Sequence, residues 1–90
     1  MAYAAVSVTT SATLIIAANG NRKSLIIVNN STTTVFIGSN NSVTTTDGTP
    51  LFSNQTLSED DGGGHRIWTG DVYGIVASGT SNVRYWERTI

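Results

Sequence analysis

Ninety residues carry five Lys and Arg, six Asp and Glu, a net charge of −1 and no cysteine. One domain of this length buries only about 60% of its unfolded surface, and without cysteine neither disulfide stapling nor a zinc–thiolate site is open to it. The cations are scattered and matched by acids, so there is no electrostatic footprint for nucleic acid, and no apolar run approaches the ~20 residues that span a bilayer.

Charged residues make up 12% of the chain, about half the usual share, and Ser, Thr and Asn fill the polar positions. Such a surface suits packing against other protein, where desolvating charge is costly. Oligomerisation or docking onto a larger body is therefore the expected way to supplement a thin core. Leu14 to Ala18 is too short for a signal-peptide core, and nothing basic precedes it before Arg22. The chain is expected to be made in a cytoplasm and to stay soluble.

In chain order, Ala2-Tyr3-Ala4-Ala5-Val6 opens the sequence with Tyr3 as its one large side chain. Residues 1–10 read either as an edge strand or as an arm that adds to a neighbouring subunit's sheet, ahead of a single domain over residues 11–90. Thr13 to Ala17 is a strand, and Asn19-Gly20-Asn21 offers hairpin chemistry into the next one. Arg22 and Lys23 are expected to be solvated or paired with a loop acid. Leu25-Ile26-Ile27-Val28 is apolar at consecutive positions, which reads as a strand covered on both faces at the centre of a sheet.

Asn30 to Thr32 turns the chain, and Thr33 to Gly38 is expected to return as the hairpin partner of that central strand. Val43 to Thr46 reads as a weak strand, and Thr49-Pro50 must be extended because the residue before proline avoids the α region. Leu51 and Phe52 are expected to re-enter the core. Three acids and three glycines from Glu59 to Gly64 read as a surface loop. His65 to Trp68 resumes extended structure, Val72 to Ala77 is a strand, and Ser78 to Asn82 turns. In the last strand, Val83, Tyr85 and Glu87 share one face and Arg84, Trp86 and Arg88 the other.

About seven to eight short antiparallel strands at regular spacing, without helical periodicity, predict an all-β fold: a small Greek-key β-sandwich or barrel. The chemistry available to it is sparse. Glu59, Asp60, Asp61 and His65 are the one cluster with metal-ligand residue types, but they lack a calcium-loop spacing and a second cluster, so no metal is assigned. The lone histidine has no serine or cysteine in a nucleophile setting, so no catalytic residue is assigned and an enzyme is not expected. Acids before Gly62-Gly63-Gly64 would repel phosphate. Trp68 and Trp86 are read as core, subunit interface, or, for Trp68 with Asp71 and Tyr73, a sugar-stacking platform.

Three segments carry a resemblance: ATLIIAANGNRKSLIIVNNSTTTVFIG from Ala12 to Gly38, SVTTTDGTPL from Ser42 to Leu51, and GDVYGIVASGTSNVRYWE from Gly70 to Glu87. In order and spacing they are similar to a family of small β-sandwich virion proteins of tailed bacteriophages, over most of residues 11–87. The resemblance implies a capsid decoration (cement) protein, a head fibre, or a small domain on a tail protein. The acidic triglycine loop and Trp68 depart from the family pattern. Without a fibre stalk or heptads, the expectation is a cement protein. It would sit as a homotrimer outside the major capsid lattice, with the major capsid protein and its own copies as partners and no cofactor. Its place would be the capsid surface of the virion, after synthesis in the bacterial host cytoplasm. Tyr3, Val6, Trp68 and Trp86 are the expected protein-interface residues. A carbohydrate-binding or adhesin module of a fibre or tail and a head–tail connector component are the alternatives.

Overall fold

The computed structural model describes residues 2–62 and 66–89. Eight strands follow in order: β1 (Ala2–Val8), β2 (Thr13–Ile16), β3 (Arg22–Asn29), β4 (Val35–Gly38), β5 (Thr49–Leu51), β6 (Thr56–Asp60), β7 (Val72–Ile75) and β8 (Ser81–Thr89). They form two four-stranded sheets, one in the order β1-β8-β3-β6 and the other β2-β7-β4-β5, and every pairing is antiparallel. The fold is an all-β sandwich.

Two expected hairpins do not form. β2 and β4 both lie in the sheet opposite β3, so the turns at Asn19–Asn21 and Asn30–Thr34 are arches between sheets. A polar side chain pins each arch. Asn29 sends its amide to the carbonyls of Thr33 (2.8 Å) and Leu51 (2.9 Å), and the Ser81 hydroxyl donates to its Oδ1 (2.8 Å). Those bonds use both donors of a buried amide that would otherwise cost about 1–3 kcal/mol, and they join β3 to the opposite sheet.

β3 is central in its sheet, flanked by β8 and β6, but it is covered on one face only. Leu25 and Ile27 are buried between the sheets, whereas Ser24, Ile26 and Val28 lie half-buried on the outer face. Consecutive apolar residues here make a strand with an apolar outer surface rather than a strand buried twice. The core between the layers gathers Val8, Ile15, Leu25, Ile27, Val35 and Val83 with their neighbours. Gly74 on β7 is needed for that packing. A Cβ there would stand 2.8 Å from Ile15 Cδ1 and 3.1 Å from Val35 Cγ1.

Four local expectations change. Val43 to Thr46 is a turn rather than a strand, because Asp47 Oδ1 accepts from both the amide and the hydroxyl of Thr44 (2.8 and 2.9 Å) and Val43 is buried as a plug against Gly38. Phe52 is exposed at the corner between β5 and β6 instead of entering the core. Glu59 and Asp60 belong to β6, where pairing with Leu25 and Ser24 holds them extended. Gly63, Gly64 and His65, the rest of the expected loop and ligand cluster, lie outside the described residues. Arg66 to Trp68 is irregular rather than extended, and buried Ile67 ties it to the core.

Candidate functional site

Register assigns the outer face of the β1-β8-β3-β6 sheet. Tyr3 lies opposite Trp86, Trp86 opposite Ile26, and Ile26 opposite Ser58. The next row runs Ala5, Arg84, Val28 and Thr56, and on the other side Arg88 faces Ser24 and Ser24 faces Asp60. Directly opposed residues share a face at about 4.5–5.5 Å between Cβ atoms, so two aromatics and two aliphatic side chains form one continuous strip. Tyr3 is 81% exposed and Trp86 41%. The strip is flanked by Arg84 and Arg88 on β8 and by Asp60 on β6.

The four expected interface residues are divided by the fold. Tyr3 and Trp86 come together on this strip. Val6 points the other way, packed half-buried against the core opposite Val83. Trp68 belongs to the loop before β7 and lies at the mouth of a cleft between the sheets.

That loop is fastened by a residue expected to be solvated or paired with a loop acid. Arg22 is 1% exposed, turned inward by a β-bulge between Arg22 and Ser24 that places Lys23 outside. Its Nε donates to Glu87 Oε2 at 2.6 Å, Nη1 to the carbonyls of Trp68 (2.7 Å) and Gly70 (3.1 Å), and Nη2 to the Ala17 carbonyl (2.9 Å). A buried ion pair is tolerated only when its remaining donors find partners, and here three carbonyls take three of the four left to the guanidinium. Its acid is on a strand, not a loop. Lys23 does pair with a loop acid, Asp61, at 3.0 Å.

Further bonds hold Trp68 itself. Its amide donates to Glu59 Oε1 (3.0 Å) and its indole N–H to the Asp71 carbonyl (2.8 Å). The ring lies so close to Gly70 that a Cβ there would collide with it. The sugar platform of Trp68, Asp71 and Tyr73 does not assemble. The Asp71 carboxylate accepts from the Ala18 amide (2.7 Å), and Tyr73 is on the outer face of the other sheet, opposite Leu14.

The cleft beside Trp68 has a volume of about 380 Å³ and opens on the β5–β6 side of the sandwich. Leu25, Ile27 and Leu57 form one wall and Ile37 and Val72 the other, with Glu59 and Asp47 at the rim. Bonds from the Thr44 amide and hydroxyl hold the Asp47 carboxyl below its ordinary pKa. The Lys23 ammonium and the Ile67 amide do the same for Asp61. Among the described residues there is no group of three metal-ligating side chains, and no helix is long and apolar enough to cross a membrane.

Sequence reasoning found the two aromatics on β1 and β8 but missed the cleft and the role of Arg22. The cleft depends on which strands are edges, and Arg22 on a bulge; neither has a local signal. No protein family, curated protein or solved structure matches the chain.

Proposed function

We propose that the chain is a structural protein of a tailed-bacteriophage virion, a decoration protein that coats and stabilises the outside of the capsid lattice. The observation that carries this reading is the strip of Tyr3, Trp86, Ile26 and Val28 on the outer sheet face. Adjacent aromatic and aliphatic side chains, with Arg84 and Arg88 on either side of Trp86 along β8, have the composition of a protein–protein contact. The resemblance of Ala12–Gly38 and Gly70–Glu87 to small phage virion proteins supplies the biological setting. Many copies, each with a modest contact, hold a lattice together through avidity.

In this reading the major capsid protein and further copies of the chain are the partners, and the copies form a homotrimer. The test is to mix purified protein with empty mature heads of the cognate phage and pellet them. Saturable co-pelleting near one copy per capsid-protein subunit, together with a raised capsid melting temperature, is the expected result. Absence of co-pelleting overturns it. Native mass measurement is expected to give a trimer, whereas a hexameric or dodecameric ring would point to a connector. Trp86→Ser is expected to change stability little, since the ring is on the outside, and to reduce co-pelleting sharply.

A further inference from the structure

The open side of the sandwich combines three features. Among the described residues β6 pairs only with β3, and its other edge has no strand partner. Leu57 and Glu59 on β6 face inward, and the cleft beside them reaches down to fully buried Ile27. The rim carries Glu59 and Asp47, and among the described residues neither has a basic partner, because the two ion pairs use Glu87 and Asp61.

We propose that this side is a receptor for an extended strand of another polypeptide. The strand adds along β6, with alternate aliphatic side chains entering the cleft and a Lys or Arg meeting Glu59 and Asp47. A strand beside β6 continues its side-chain alternation, so every second residue lies level with Leu57 and Glu59 and points between the sheets. Backbone pairing supplies affinity, and the aliphatic floor with its acidic rim supplies selection.

The other edges are less suited. β5 has three residues and contains Pro50, which removes a donor; β2 has four and a register irregularity between Leu14 and Ile16. β1 is long, but the cleft is not beside it. The occupant is a different chain rather than a second copy. The two strands of this protein that combine aliphatic and basic residues, Arg22–Asn29 and Ser81–Thr89, are already interior strands of its own sheet. A saccharide is disfavoured because the floor is aliphatic and the Trp68 indole N–H is already bonded to Asp71. The inference stands apart from the capsid reading, since it uses neither Tyr3 nor Trp86.

The test uses the full chain and a labelled synthetic peptide that alternates valine with threonine and carries one lysine. A matched peptide has glutamate in place of lysine. Saturable binding of the lysine peptide, with a change in tryptophan emission that is lost in Trp68→Phe, is the expected result. Asp47→Lys, on the loop before β5, removes the acceptor of the Thr44 turn together with a rim charge, and is expected to weaken lysine-peptide binding about tenfold and to improve glutamate-peptide binding. A loss of fold alone would not exchange the two preferences. The proposal is overturned if neither peptide binds, if wild type binds both equally, or if a glycan array gives binding at Trp68 while the peptides give none. Co-pelleting with heads tests the other reading and is scored separately.

Discussion

Arg22 is the residue on which the most separate segments depend. Its guanidinium joins the start of β3 to β8, to the chain after β2 and to the loop that carries Trp68. Removing one partner of a buried pair leaves an uncompensated charge, at a cost of about 3–5 kcal/mol, which is much of a small domain's stability. Glu87→Ala is therefore expected to lower stability by that amount in urea titration. The double variant Arg22→Met/Glu87→Met is expected not to recover, because it orphans the carbonyls of Ala17, Trp68 and Gly70. Recovery to wild-type stability would show that those carbonyls do not need the guanidinium. Asp61 makes a second, pH-dependent attachment. Its pKa is lowered by Lys23 and the Ile67 amide, so the stabilisation is present above the ordinary aspartate value of 3.8 and is lost as pH falls through the lowered one. Faster exchange of the Ile67 amide in acid, relative to core amides such as Ile27 and after correction for intrinsic rates, is the expected signature.

Consecutive strands mostly change sheets; only β4 and β5 are both adjacent in sequence and paired. Nearly every pairing must then close a long loop, and all-β chains of this kind fold in about milliseconds to seconds. Stopped-flow refolding is expected in that range, and microsecond refolding would contradict the topology. The same alternation explains what was legible in the sequence. The two faces of β8 and the central place of β3 follow from side-chain period and apolar content. The pairing of β2, β3 and β4 does not, because Asn-Gly and Asn-Ser-Thr signals fix a reversal of direction only. A returning strand lies about 4.8 Å away in the same sheet or ~10 Å away in the facing one with the same turn residues. Arg22 was hidden for a related reason. Without the bulge at Lys23 it would share the outer face with Ser24, and a bulge has no composition of its own. Tyr3 and Trp86 were identifiable as strand aromatics, but the outward place of Trp86, which also read as core, and its position directly opposite Tyr3 needed the β1–β8 register.

At the scale of the molecule, the sandwich presents two surfaces whose chemistry differs. The outer face of the β1-β8-β3-β6 sheet carries an aromatic and aliphatic strip with Arg84 and Arg88 beside Trp86, while the β5–β6 side is a cleft with an acidic rim. The proposed lattice contact uses the strip and the proposed strand receptor uses the cleft, so the two proposals rest on separate surfaces. The first of these is the basis of the proposed role. Oxidative footprinting of the protein, free and bound to cognate heads, tests it most directly. The account predicts strong protection of Tyr3 and Trp86 on the head and none at Leu14, which lies on the opposite outer face. Equal labelling of Tyr3 and Trp86 in the two states, with the protein bound, would contradict it.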